Sequence, residues 1–209
     1  MFSKSMRATL QSLLKQKLNI LISGATGSGK TSLLRSLLME ITASERLIIM
    51  EDVPELRIGR SKAADLNTRV ESGSDLPEIG LRELIRQSLR MRPDRLILGE
   101  VRGPEALDLL LAMNTGHQGC LGTLHANSAR DALWRLQCLI RLGSGEIQES
   151  TAQEVIHRNI HAIVHCQKDS QGVRQIKEIA YMRGIESGCY LLEYHSESDL
   201  SCEAQKFCA

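Results

Sequence analysis

Eight consecutive residues announce the chemistry. Gly24, Ala25, Thr26, Gly27, Ser28, Gly29, Lys30 and Thr31 read GATGSGKT and fill every fixed position of the pattern G-x-x-x-x-G-K-[ST]. The pattern holds phosphates. Its glycines allow backbone turns closed to other residues, so successive N–H groups converge on an anion, and the helix that follows adds its partial positive charge. Lys30 is expected to reach the outer phosphates, Thr31 to place its hydroxyl on Mg²⁺, and Ser32 to continue the phosphate-facing first turn. The competing reading is a glycine-rich turn before a helix, with no ligand.

Acids and histidines follow at intervals. Glu51 and Asp52 end the apolar run Arg46-Leu47-Ile48-Ile49-Met50, with Glu55 three residues on. Taken alone they fit equally a ligand-binding strand edge and a solvated turn. Glu100 ends the run Leu96-Ile97-Leu98-Gly99. Nucleotide hydrolases often carry an aspartate there for Mg²⁺ or its water. Here Gly99 takes that place, so a direct aspartate ligand is missing and Glu100 would act through water. His117, Cys120 and His125 lie within nine residues, but their spacing matches no common zinc pattern, so no zinc is expected. A lone histidine at the end of a strand, such as His125, is more often structural than catalytic.

These residues require strands and helices to place them. Asn19-Ile20-Leu21-Ile22-Ser23 suits a buried strand before the loop, and Leu33, Leu34, Leu37 and Leu38 recur at helical spacing after it. Leu81, Leu84, Ile85, Ser88 and Leu89 predict a helix over 80–91, stopped by Pro93. Arg82, Arg86, Arg90, Arg92 and Arg95 form a basic cluster, read as a solvated face or as a surface meeting a neighbour's phosphate or acids. Pro104 opens a further helix, and Ser128 with Asp131 resembles a capping box before another. Residues 56–79 read as a mostly irregular connection with room for one short strand. From Ala162 onward the pattern becomes short strands broken at Gly172 and Gly188, an antiparallel appendage.

Composition narrows the class. The chain has 209 residues, one domain with an appendage. A net charge of +1 and 3% aromatic residues argue against direct nucleic-acid binding. Six cysteines form no C-x-x-C pair and no repeated spacing, so neither a zinc ribbon nor a disulfide framework is expected, and reduced thiols in a cytoplasm fit better. No apolar run is long enough to cross a membrane, and the N-terminus lacks the apolar region of a signal peptide. Lys4, Arg7, Lys15 and Lys17, with Met6, Leu10, Leu13, Leu14 and Leu18 between them, predict a basic amphipathic helix lying on the core, with a membrane surface as the alternative.

The order of these signals is more specific than any one of them. GATGSGKT, IIMEDVPEL, RMRPDRLILGEVRG and NTGHQGCLGTLHANSARDAL resemble, in that order, the phosphate loop, acidic box, atypical magnesium strand and histidine box of the type II/type IV secretion ATPases. The branch that serves tight-adherence pili and conjugative transfer is the most similar. The resemblance covers 19 to about 142 well and the terminal strands loosely. It implies an α/β fold, a RecA-like P-loop NTPase core of mostly parallel sheet flanked by helices, carrying the antiparallel appendage. It implies that Lys30 and Thr31 bind the phosphates and Mg²⁺ of ATP, and that Glu55 positions or deprotonates the attacking water. Glu100 would hold the magnesium shell and His125 would sense the γ-phosphate, with Asp52, Arg102 and His117 in support. It also implies a homo-hexameric ring working with inner-membrane secretion or pilus platform proteins, at the cytoplasmic face of the inner membrane.

Relatives of this kind carry a substantial domain ahead of the core, whereas this chain begins about twenty residues before its loop. Arginines from that domain are therefore expected to be missing, and a truncated or degenerate nucleotide-binding module without turnover is the alternative reading. A small-molecule kinase is a more remote one. Arg69-Val70-Glu71-Ser72-Gly73 departs from the family pattern. The expected organisation is a leading helix over 1–18, the ATPase core over 19–160, its C-terminal strands over 161–195 and a disordered tail over 196–209.

Overall fold

Alternation within the buried strands builds the molecule in three layers. The computed structural model describes residues 4–70, 77–196 and 204–208. Its parallel strands are β1 (Ile20–Gly24), β2 (Leu47–Glu51), β3 (Ala63–Asn67), β4 (Arg95–Val101), β5 (Leu121–His125) and β6 (Ala162–Lys168). Ile20, Ile22, Leu47, Ile49 and Ile97 face one apolar layer, while Leu21, Ile48, Met50, Leu96 and Leu98 face the other. That is the period of two expected of strands buried on both faces.

The first layer holds α1 (Lys4–Lys15) and α2 (Lys30–Glu40). The leading basic helix does lie on the core: Met6, Leu10, Leu13 and Leu14 are buried, and Arg7 and Gln11 donate to the Glu40 carboxylate at the end of α2. The second layer holds α3 (Leu81–Ser88), α4 (Glu105–Asn114), α5 (Ala129–Ser144) and α6 (Glu149–Asn159). Helix α3 is followed by a 3-10 turn over Leu89–Met91, so the helical stretch ends where the sequence placed it. The Ser128 hydroxyl accepts from the Asp131 amide and caps α5 as anticipated.

The strand order is β3-β2-β4-β5-β1-β6-β7-β8-β9. Here β7 (Arg174–Glu186), β8 (Cys189–Ser196) and β9 (Ala204–Cys208) extend β6 as antiparallel hairpins. All six parallel strands bring their carboxyl ends to one edge of the sheet, the edge where open α/β sheets take ligands. Strand β3 is the short strand allowed for in the connection, and Arg69 pairs with Ile79 to close it. Glu71, Ser72 and Gly73 lie outside the described residues, as do 197–203 and 209.

Three expectations are corrected. Residues 204–208 are not a disordered tail: they pair with β8 in antiparallel register from Cys189↔Cys208 to Glu193↔Ala204. That register puts two cysteines opposite one another, and a disulfide joins Cys189 to Cys208, where reduced thiols were expected. Arg95 does not belong to a solvated basic face. It is buried, donates through Nε and Nη2 to the Glu45 carboxylate at 2.7 and 3.1 Å, and reaches the Leu14 carbonyl at 3.0 Å, tying α1 to the start of β4. Arg82 and Arg86 likewise spend charge on Asp108.

Candidate functional site

Strand β1 delivers the loop, and its first glycine is forced. Gly24 has φ +156°, and a Cβ there would stand 2.4 Å from the Cys166 carbonyl of β6 and 2.4 Å from the Ser28 hydroxyl. Gly29, at φ +96°, then turns the chain into α2. The N–H groups of the first turn of a helix have no carbonyl four residues back to accept them, so they remain for an anion. Ser28 adds a second mark of the same kind: its Oγ is buried and has no partner among the described residues. An open cradle with an orphaned hydroxyl and helical amides fits a phosphate group. Lys30 folds back and donates to the Ala25 carbonyl at 3.0 Å. Its burial lowers its pKa, with the Glu100 charge as the main opposing pull.

The acids lie across β5 from the loop. Thr31, Asp52, Glu55, Glu100 and Arg102 line one cleft, together with Glu51, Val53 and Gly99. Arg102 donates through Nη2 to Glu100 at 2.7 Å and stands 4.0 Å from Asp52, and the Glu100 contact raises its pKa. A hydroxyl beside carboxylates, open to a phosphate, is a donor set suited to Mg²⁺. His125 ends β5 with its Cα directly opposite Gly24, which brings it to the loop as the sequence predicted.

His117 is not brought there. It precedes β5, its ring meets Thr115 Oγ1 and the Ala112 carbonyl at the end of α4, and its own carbonyl accepts from Cys120 Sγ. It therefore sits at the opposite edge of the sheet, roughly 15 Å away by the rise of a strand. The cleft of this chain is lined without it.

Glu51, Gly99 and Glu105 shape the cleft in ways the sequence did not assign to them. Glu51 is 4% exposed and accepts from the amides of Glu55 and Leu56 at 3.1 and 3.2 Å, so it holds the loop that carries Glu55. Burial raises its pKa, against the pull of those two amides. Gly99 makes room for it: a Cβ there would come within 2.8 Å of Glu51 Cγ. The β4–β5 register shifts between Leu98 and Val101, a bulge of the kind that re-aims side chains beside active sites, and the Gly99 carbonyl accepts from Thr123 Oγ1 at 2.6 Å. Glu105, also buried, accepts from the amides of Arg102 and Gly103 at 2.6 and 2.7 Å. The sequence signal for Glu105 was its first-turn position after Pro104. For Glu51 the signal was its place at the end of an apolar run beside Asp52, which does not tell a buried support from a ligand-facing acid.

Known proteins resemble the chain over most of its length. A family model described as "Type II/IV secretion system protein" matches residues 1–200. A putative conjugal transfer protein of Mycobacterium tuberculosis is 34% identical over 198 residues, covering 94% of this chain and 56% of the relative. The conjugal transfer protein TrbB of Rhizobium radiobacter is 35% identical over 198 residues, covering 93% and 58%. Among solved structures, the VirB11 ATPase from the Brucella suis type IV secretion system, in complex with sulphate, superposes with a TM-score of 0.77 at 28% identity, over 85% of this chain and 52% of that one. This chain thus spans about half the length of the relatives it matches.

Proposed function

The chain belongs to the type II/IV secretion system protein family and has its RecA-like core, and on that premise we propose that it is an ATP-hydrolysing motor subunit of a bacterial secretion, pilus-assembly or conjugative-transfer system. The observation that carries the reading is the meeting of the open phosphate cradle with the Thr31, Asp52, Glu55, Glu100 and Arg102 cleft on one sheet edge.

In this reading the backbone amides of the loop, the Ser28 hydroxyl and Lys30 take the β- and γ-phosphates of ATP, and Lys30 gives up its contact with the Ala25 carbonyl to do so. Thr31 and, through water, Glu100 would hold Mg²⁺, which would neutralise charge on the phosphate oxygens. Glu55 orients the attacking water and accepts its proton, and His125 reports on the γ-phosphate from the strand beside the loop. Asp52 shares with Glu100 the guanidinium of Arg102, keeping a cation at the acids until metal and nucleotide arrive. The working form is a homo-hexamer at the cytoplasmic face of the inner membrane, docked on platform proteins of the secretion or pilus machine. No helix among the described residues is long and apolar enough to cross a membrane.

The test is Mg²⁺-dependent phosphate release from ATP by the isolated chain, with Lys30→Ala as the blank. Glu55→Gln is expected to bind ATP as the parent does and to lose turnover. Release that survives Lys30→Ala, or turnover unchanged in Glu55→Gln, would overturn the assignment.

A further inference from the structure

The antiparallel strands reach the phosphate loop as well. Strand β6 is paired in register with β1 up to Gly24↔Cys166, so Gln167 and Lys168 run on beside the loop itself. The chain then reverses in a fixed turn. The Asp169 side chain accepts from the amides of Gln171 and Val173 at 2.9 and 2.8 Å, and Gly172 takes φ +82°. The turn returns Arg174 opposite Lys168, and Arg174 Nε donates to the carbonyl of Gly27 at 3.0 Å. Its two terminal amino groups have no partner among the described residues. An arginine from the far strand is thus anchored to the apex of the phosphate loop by one of its donors while the remaining fork stays free.

Strand order says which part of a nucleotide lies there. The acids and Thr31 are on the β5–β4–β2 side of β1. That side takes metal, water and the terminal phosphate. Arg174 is on the β6–β7 side, about 10 Å from β1 in the opposite direction by the spacing of strands. A phosphate chain laid across the loop with its reacting end at the acids has its inner end toward Arg174.

Resting on the nucleotide-binding reading above, we propose that Arg174 is a nucleotide-binding residue supplied by the C-terminal hairpin, its guanidinium contacting the α-phosphate end of a bound nucleoside di- or triphosphate. Arginine suits that place because its planar fork can hold the Gly27 carbonyl and a phosphate oxygen together, which a lysine cannot do in the same geometry.

The experiment is calorimetric titration of the chain with ADP and with inorganic phosphate, for the parent, Arg174→Ala, Arg174→Lys and Lys30→Ala. Arg174→Ala should weaken ADP about tenfold, the loss of one charge-assisted hydrogen bond. It should leave inorganic phosphate within about twofold, because a single phosphate seated in the loop does not extend to the α position. Arg174→Lys should recover only part of the ADP loss. The melting temperature of the ligand-free chain should stay within about 2 °C of the parent, as for an exposed side chain. Lys30-dependent ADP binding that Arg174→Ala leaves unchanged would overturn the role of Arg174 while sparing the nucleotide reading. Equal weakening of ADP and inorganic phosphate would overturn it too, showing that Arg174 only shapes the loop. ADP binding that ignores Lys30→Ala would remove both.

Discussion

Restoring the aspartate that other nucleotide hydrolases carry at the end of this strand should inactivate the protein rather than improve it. The reason is the contact between Gly99 and Glu51. A Cβ built on Gly99 falls 2.8 Å from Glu51 Cγ and 3.2 Å from Oε1. Glu51 cannot swing away cheaply, since it is buried and its carboxylate holds the amides of Glu55 and Leu56. Forcing an extra carbon into such a site costs about 1–3 kcal/mol. For a chain of this size that is a fall of about 3–9 °C in melting temperature for Gly99→Ala. Gly99→Asp adds like-charge repulsion against Glu51 and should cost more. Turnover should suffer further, because the Glu55 loop moves with Glu51 and misplacing a catalytic group by an ångström can cost about 100-fold.

The assay is thermal melting and ATP turnover on Gly99→Ala, Glu51→Ala and the double variant. Glu51→Ala alone leaves two buried amides without an acceptor and should cost about 1–3 kcal/mol. In the double variant the new methyl enters the space that Glu51 vacated, so the Gly99→Ala penalty should vanish and the pair should be strongly non-additive. A Gly99→Ala penalty that persists undiminished beside Glu51→Ala would refute the packing argument.

The buried acid and the edge strand give two more tests. Burial raises the folded-state pKa of Glu51 above its unfolded value near 4.5. Its ionisation therefore costs stability, fully above the folded value, and the cost disappears as pH falls below the unfolded one. Glu51→Gln, which keeps an acceptor for the two amides, should be more stable than the parent at neutral pH, with the gap closing on acidification; a gap that widens as pH falls would reverse the sign of the argument. At the other end of the sheet, the Cys189–Cys208 disulfide closes a separation of 19 residues, a constraint worth about 3 kcal/mol against an open chain. Reductant should expose two further thiols and speed amide exchange in 204–208 while leaving exchange in β1 unchanged, and exchange in β9 that ignores reductant would show that pairing with β8 suffices.

The legible parts of this chain are those whose reason is local. GATGSGKT needs its three glycines because of close approach and φ alone, and the apolar runs of β1, β2 and β4 are long enough to be buried on both faces. The family resemblance added the roles of Glu55, Glu100 and His125, and the fold places all three on the edge of the sheet that holds the loop. What stayed hidden depends on partners remote in sequence. Strand β9 reads AQKFC, too polar to announce itself, and forms because β8 offers an open edge. Its disulfide could not be foreseen without that register. His117 was grouped with His125 because both stand in one motif, yet the strand between them carries the two to opposite edges.

A rule of construction connects the residues that were missed with those that were not. Each exposed acid of the cleft stands in or beside a loop whose amides are held by a buried one. Glu51 supports the backbone of Glu55, and Glu105 supports the backbone of Arg102, the partner of Glu100. The buried carboxylates accept from backbone N–H groups, Glu51 Oε1 from Glu55 and Leu56 and Glu105 Oε1 from Arg102 and Gly103, which is why they tolerate burial. Glu100 in turn accepts from Arg102 at 2.7 Å, and the backbone that carries Glu55 and Arg102 is held by the buried acids. Gly99 is the cost of this arrangement. The bulge in β4, steadied by the Thr123 hydroxyl on the Gly99 carbonyl, sets Glu100 in the cleft, and Gly99 leaves room for Glu51 beside it.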